Sequence, residues 1–258
     1  MIYMKLAKIF LIVISLIWTV INLYKAIISP NVVNLTSFLG IVPIFSALYS
    51  EIDWIYIKCN KIKAYFFLKT VKFTPKSSRY IDDGVSIISL EERVRKLLEN
   101  YSYKIDEAFI KRTNEDLYIP ITNVKGLDTS ITINIHQESS GWRLTLKSEY
   151  QIAYRDVSKC WSAFLEIRDE LFSEFAKTSS SKERYDVTIN TDNSKKYNPF
   201  YRLTIKNVGE PKVKSFNLKF ADENLTVITN MHKIYGSSKH RQDIEKMIKE
   251  YVPLSKIL

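Results

Sequence analysis

Apolar residues at the start of this chain form two long uncharged or nearly uncharged runs. The first covers residues 9–28, in which the only charge, Lys25, sits on a side chain long enough to reach an interface. The second covers residues 32–50 and contains no charge. Each run has about the twenty residues that a bilayer core requires, so the pattern predicts a two-helix transmembrane hairpin with spans at about 9–28 and 32–50.

Four positions within these runs are polar or break helices. Gly40 and Pro43 indicate a kink or a close helix contact, which a bilayer tolerates when neighbouring helices satisfy the freed backbone groups. Asn22 and Asn34 either meet across the hairpin or between subunits, or each is a lone amide near the headgroups.

Lysines flank the predicted hairpin on both sides. Lys5 and Lys8 precede the first run, and they also resemble the basic start of a signal peptide, but no small-residue cleavage pattern follows. Five lysines follow the second run: Lys58, Lys61, Lys63, Lys69 and Lys72. The positive-inside rule then predicts that both termini are cytoplasmic.

Residues 51–80 are predicted to be a basic stalk. Apolar side chains recur at positions 52, 55, 59, 62 and 66, at the three- and four-residue spacing of a helix that continues from the second span. Trp54 is expected at headgroup level, and the five lysines named above are expected to contact the membrane surface.

The remainder, residues 81–258, reads as an α+β domain. Ser89 and Glu92 have the spacing of a capping box and predict a helix over 89–101. Alternating residues predict strands at 103–111, 117–124, 130–137 and 142–150, the last two as a hairpin, and an apolar stripe predicts a helix at 156–176. The same order is predicted again, with strands at 185–190, 200–207, 213–220 and 225–235 and a helix at 239–251.

This recurrence indicates a β4α pseudo-repeat, with possible halves 81–177 and 184–258. Two antiparallel sheets with packed helices satisfy the pattern, and so does one curled sheet around the long helix. The predicted fold class is therefore a membrane-anchored α+β protein.

Charge is unevenly distributed along the chain, whose net charge is +10. Residues 51–80 carry seven bases and two acids, whereas residues 81–183 carry fourteen bases and eighteen acids, and residues 184–258 carry fourteen bases and eight acids. A basic collar and a basic end favour partners at particular positions over a surface that coats nucleic acid uniformly.

No common catalytic or metal motif occurs in the sequence. The two cysteines, Cys59 and Cys160, are far apart, and the three histidines are scattered. The six glycines form no phosphate-binding loop. We therefore expect no catalytic residue, no metal site, no cofactor and no enzymatic activity, with an enzyme of unfamiliar type as a third hypothesis.

The basic end contains a candidate site for an anion or nucleotide. Its residues combine cations for phosphates with aromatic faces for bases: Lys195, Lys196, Tyr197, Tyr201 and Arg202. The alternative interpretation is a solvated hairpin tip whose lysines only confer solubility.

The layout of MKLAKIFLIVISLIWTVINLY, a second span with Gly40 and Pro43, and a strand-rich domain resembles the two-transmembrane effectors of bacterial anti-phage systems, both retron-associated and cyclic-nucleotide-gated. This resemblance implies a bacterial inner-membrane protein whose cytosolic domain senses a protein, RNA, DNA or cyclic-nucleotide trigger. It further implies that the hairpins of a homo-oligomer then impair the lipid bilayer, which stops growth of the infected cell. The alternative function is a non-enzymatic membrane tether for an acidic protein or a nucleic acid.

Overall fold

The computed structural model describes residues 2–28, isolated helical positions between 44 and 66, and most of residues 71–251. In that last part the described ranges are 71–82, 84–123, 127–139, 141–175, 183–190, 215–230 and 233–251. The chain divides into two compact units, Met1–Ile62 and Lys63–Leu258.

The first unit contains α1 (Ile2–Ile28). Its side chains are described at 13–22, 24, 25, 27 and 28. Polar residues recur there at the spacing of one helix face, since Ser15, Thr19 and Asn22 are four and three residues apart, and the Thr19 hydroxyl donates to the Ser15 carbonyl at 2.8 Å. Thr19 is buried, whereas the large apolar side chain of Trp18 is exposed.

The predicted transmembrane hairpin at 9–28 and 32–50 is corrected by the structure. Within the described residues, no helix is long and apolar enough to cross a membrane. A span requires about twenty apolar residues in one helix, and the side chains described in α1 include the polar Ser15, Thr19 and Asn22. The assignments to the bacterial inner membrane and to cytoplasmic termini are corrected with it.

In the described residues of the second unit, ten strands form one antiparallel sheet. The strands are β1 (Val71–Ile81), β2 (Lys104–Ile105), β3 (Lys111–Arg112), β4 (Asp116–Thr122), β5 (Asp128–Glu138), β6 (Gly141–Ile152), β7 (Arg184–Asn190), β8 (Asn217–Asp222), β9 (Leu225–Asn230) and β10 (Lys233–Ser238). The helices are α2 (Ile87–Asn100), α3 (Val157–Ser173) and α4 (Arg241–Lys246), the last continuing as a π-turn, Met247–Tyr251.

The strand order is β2-β4-β5-β6-β1-β7-β10-β9-β8, with β3 paired to β4. Of the two arrangements that the pattern allowed, the described residues therefore form a single sheet. The predicted strand at 225–235 is two strands, β9 and β10, joined through Asn230, whose side chain accepts from the Lys233 amide at 2.8 Å. The predicted strand at 200–207 lies outside the described residues.

The first strand was not predicted, because residues 71–80 were assigned to the stalk and to the loop after it. β1 instead lies at the centre of the sheet, between β6 and β7. Pro75 lies inside β1, opposite Val187 of β7. The pairing of β1 with β6 is interrupted at Thr74 and Pro75. A proline has no backbone N–H to donate, so its presence argued against a central strand.

The predicted hairpin of 130–137 and 142–150 is confirmed. Ile133 faces Leu146 and Ile135 faces Leu144 across β5 and β6, and all four side chains are buried. Alternation places every second residue on the helix-covered face of a strand, and the residues between them on the opposite face.

The helices cover one face of this sheet. α2 packs against α3 and β4, α3 packs against β1 and β6, and α4 packs against β7 and β10. The predicted helix at 89–101 is confirmed, but its cap is corrected: the N-cap is Ser86, whose hydroxyl oxygen accepts from the Ser89 amide at 3.2 Å. Trp161 and Phe164 of α3 stack with ring centroids 5.7 Å apart in the core.

Candidate anion-binding groove

The structure places the sequence-predicted site residues in three groups. The candidate anion contacts Lys195, Lys196, Tyr197, Tyr201 and Arg202 lie outside the described residues, and so do Asn34, Gly40, Pro43, Lys61, Lys63 and Lys69. Trp54 and Lys58 are helical, and the Lys58 ammonium lies 5.8 Å from the centroid of the Trp54 ring. Asn22 is half-buried on α1.

Lys72 is not part of a stalk. It belongs to β1, and its ammonium lies 3.0 Å from the Glu149 carboxylate on β6. Lys147 lies 2.6 Å from the same glutamate, and these two ammonium groups, Lys147 before Lys72, hold the pKa of Glu149 below its usual range. Lys72 is therefore a cross-strand partner of Glu149.

A groove of about 540 Å³ lies on the sheet, mainly on the face opposite the helices. Strand alternation explains its chemistry: Tyr80, Arg143 and Arg184 are neighbours in sequence of the buried Ile81, Leu144 and Tyr185, and therefore point the other way. The charged and aromatic side chains that line the groove are Tyr80, Arg143, Glu183, Arg184, Lys219, Tyr235 and Lys239.

Strand register brings these residues together from distant parts of the chain. Arg143 of β6 lies opposite Tyr80 of β1. On the other side, Lys219 of β8, Ile228 of β9 and Tyr235 of β10 form one row across three strands. Both sides of the groove therefore present a cation and a tyrosine.

The first cation is neutralised within the groove wall. Arg143 lies 3.1 Å from the Glu138 carboxylate and also donates to the Ser78 hydroxyl at 3.3 Å. The Tyr80 hydroxyl donates to the same carboxylate at 2.5 Å. These hydrogen bonds, from Tyr80 first and Arg143 second, lower the pKa of Glu138, so Glu138 is ionised at neutral pH and fixes both side chains.

Arg184 is neutralised in the same way by Asp186, at 2.9 Å. The Tyr235 hydroxyl accepts from Arg184 at 3.0 Å and donates to Asp186 at 2.8 Å. Burial, followed by the hydrogen bond to Asp186, raises the pKa of Tyr235, which therefore remains protonated. This triad holds the Tyr235 ring in one orientation in the groove.

Lys219 and Lys239 differ from the two arginines, because neither forms an ion pair with a residue that the structure describes. Both are exposed. The groove therefore has two positive charges that no described carboxylate neutralises, beside two tyrosine rings held by hydrogen bonds. That arrangement suits an anion that also has a flat face.

The sequence placed a candidate site in the basic end, but it did not identify the residues of this groove. The signal that could have found them is the alternation within β1, where Lys72, Thr74, Lys76, Ser78 and Tyr80 occupy the face opposite the core. That alternation was obscured because Ser77 and Arg79, on the core side, are also polar.

Glu115 and Asp116 are adjacent acidic residues, and each contacts a side chain of β5. Glu115 lies 2.5 Å from His136, and Asp116 accepts a hydrogen bond from the Asn134 side chain. Among the residues described here, no three His, Cys, Asp or Glu side chains form a group that could hold a metal ion.

No protein-family model and no curated protein sequence matches this chain. Among solved structures, the regulatory subunit of aspartate kinase from Thermus flavus is 8% identical, with 72% of this chain and 94% of that chain covered and a TM-score of 0.20. Clostridium acetobutylicum aspartate kinase is 10% identical, with 72% of this chain and 33% of that chain covered and a TM-score of 0.18. Similarity at these TM-scores does not establish a shared fold.

Proposed function

We propose that the second unit is a non-catalytic binding module that recognises a small phosphate-bearing nucleotide in the groove on its sheet. The observation that carries the proposal is the pairing of Lys219 and Lys239, which no described carboxylate neutralises, with the oriented rings of Tyr80 and Tyr235. Ammonium groups attract phosphates. Stacking of a base on an aromatic ring contributes a binding free energy of about 1–3 kcal/mol, whichever base it is.

The dimensions of the groove favour a small ligand over a long strand. Its volume of about 540 Å³ lies within the range of about 300–1,000 Å³ that is usual for small-molecule sites. Arg143 and Arg184 are already paired with acids, so their role is to orient the ligand and to form hydrogen bonds with it. The two lysines supply the net attraction for the phosphates.

A fluorescently labelled cyclic dinucleotide, titrated into the full chain and followed by anisotropy, tests this proposal. We expect binding that weakens steeply between about 50 and 200 mM salt. Lys219→Gln and Lys239→Gln should each reduce the slope of log affinity against log salt by about 1, since each removes one phosphate contact. Lys96→Gln is the matched control, because Lys96 is an exposed lysine on α2, away from the groove.

Two outcomes would contradict the proposal. One is the absence of binding by the unmodified chain, and the other is an equal effect of Lys219→Gln, Lys239→Gln and Lys96→Gln. Binding of an acidic peptide at the same lysines, without binding of any nucleotide, would replace the nucleotide by an acidic protein partner.

The wider role as a sensor in a bacterial antiviral defence system stays a prediction. It came from a resemblance in layout that included the two membrane spans, which the structure corrects. Homo-oligomerisation on activation and the nature of the trigger stay predictions with it. A nucleotide bound in the groove would be the kind of trigger that this prediction requires.

A further inference from the structure

A second cavity, of about 610 Å³, lies at the other side of the sheet domain. The walls come from the segment between α2 and β2, the start of β5, the end of β6 and the start of α3. Three tyrosines, Tyr101, Tyr103 and Tyr150, line it together with Cys160 and Ala163 of α3. Nothing in the proposed nucleotide groove uses these residues.

The walls of this cavity are mainly apolar. Tyr150 is 5% exposed and stacks on Phe73, with ring centroids 5.9 Å apart and ring planes inclined by 28°. Leu127, which also lines the cavity, is fixed to Asn123: its amide donates to the Asn123 side chain at 2.9 Å, and its carbonyl accepts from the Asn123 amide at 3.0 Å.

The charges that line this cavity balance one another. Lys159 and Asp156 are its two charged residues, and they lie 3.7 Å apart. In contrast to the groove, the cavity therefore offers no net charge to an anion or a cation. A charged ligand would lose its hydration there without gaining an opposite charge.

Three of the side chains that line the cavity are neutral hydrogen-bond donors. Burial raises the pKa of Tyr150 and Tyr103, and burial followed by the nearby Asp156 raises the pKa of the Cys160 thiol to about 11. Two phenols and a thiol thus retain their protons at neutral pH and can donate hydrogen bonds to a neutral acceptor.

We propose that this cavity binds an uncharged aromatic small molecule, which stacks on the tyrosine rings and accepts hydrogen bonds from their hydroxyls. Aromatic rings prefer offset or edge-to-face contact with another ring, and the volume of the cavity is that of a small-molecule site. The bound molecule would cover Cys160, which is 9% exposed.

Alkylation of the full chain by N-ethylmaleimide tests this proposal, with indole as the probe and mass spectrometry as the readout. Cys59, in the first unit, is an internal control in the same sample. At an indole concentration ten times its dissociation constant, the alkylation rate of Cys160 should fall about tenfold, since only the unbound fraction reacts. The alkylation rate of Cys59 should not change.

A second arm tests the charge argument on the unmodified chain. Indole-3-acetate has the same ring system with a negative charge, and we expect it to protect Cys160 with an affinity at least about tenfold weaker than that of indole. Equal protection by the two probes, or no protection by indole, would overturn the proposal.

Substitution of Ala163 locates the bound probe. Ala163→Leu should abolish protection because its side chain fills the cavity, whereas the smaller Ala163→Ser should retain it. Circular dichroism of each variant verifies folding. If Ala163→Leu is folded and indole still protects Cys160, the proposal is refuted; if Ala163→Leu does not fold, the comparison of the two probes on the unmodified chain decides.

Discussion

Replacing Glu183 by Gln should destabilise the second unit, because this carboxylate neutralises two buried arginines. Arg79 and Arg168 have side chains that are 4% and 6% exposed, and their guanidinium nitrogens lie 3.6 Å and 3.0 Å from the Glu183 carboxylate. The Tyr185 hydroxyl donates to it at 3.0 Å. Glutamine keeps the shape of the side chain and removes its charge.

The expected loss follows from the burial of the partners. Removing one member of a fully buried ion pair costs about 3–5 kcal/mol. The Glu183 side chain is 24% exposed, so solvent screens it in part, and Arg168 retains Asp169 at 2.6 Å. We therefore expect Glu183→Gln to lower the free energy of unfolding by about 2–3 kcal/mol, below the range for a fully buried pair.

Urea unfolding, followed by circular dichroism and tryptophan fluorescence, measures this loss. Glu174→Gln is the matched control: it removes the carboxylate that lies 3.0 Å from Arg93, in a pair whose side chains are 44% and 38% exposed. Exposed pairs contribute about 0–1 kcal/mol. If Glu183→Gln were no more destabilising than Glu174→Gln, the buried arginines would not depend on Glu183 and the reasoning would be refuted.

The effect of Glu183 should also depend on pH. Burial alone would raise the pKa of this carboxyl, but Arg168, Tyr185 and Arg79 outweigh burial and lower it. A lowered pKa in the folded state means that the unfolded chain takes up the proton first. The stabilisation is therefore complete above an ordinary glutamate pKa of about 4.3, and it is lost as the pH falls through the folded-state pKa.

Two further predictions test the local structure by the same unfolding assay. Ser86→Ala should lower the free energy of unfolding by about 1 kcal/mol because Ser86 caps α2, whereas Ser89→Ala should have almost no effect. A larger loss for Ser89→Ala would instead support Ser89 as the N-cap, as the sequence suggested. Gly236→Ala should cost about 1–3 kcal/mol, since its Cβ would lie 2.0 Å from Sδ of the fully buried Met247. Adding Met247→Ala should remove that clash, so strictly additive losses would contradict it.

Local pattern was sufficient for much of the secondary structure of the second unit. The alternation of Ile133 and Ile135 with polar residues, and of Leu144 and Leu146 across a short turn, predicted the hairpin that the structure shows. The apolar stripe that includes Trp161 specified α3. In these segments one face is buried and the other is exposed, so the spacing of the apolar residues distinguishes a helix from a strand directly.

The prediction that the N-terminal segment spans a membrane was wrong. An uncharged run identified a helix, and α1 is a helix, but the composition alone led from helix to transmembrane span. The absence of charge was therefore not sufficient evidence for a membrane span.

The sequence by itself determined the helix-forming and hairpin-forming segments and the basic character of the C-terminal end. Only the tertiary structure decided that β1 lies at the centre of one sheet, because Pro75, Ser77 and Arg79 hide its alternation. Arg79 can be buried only because Glu183, more than a hundred residues later, lies beside it. The groove also depends on the tertiary structure, since Tyr80 and Tyr235 lie beside Lys219 and Lys239 only when distant strands are placed in register.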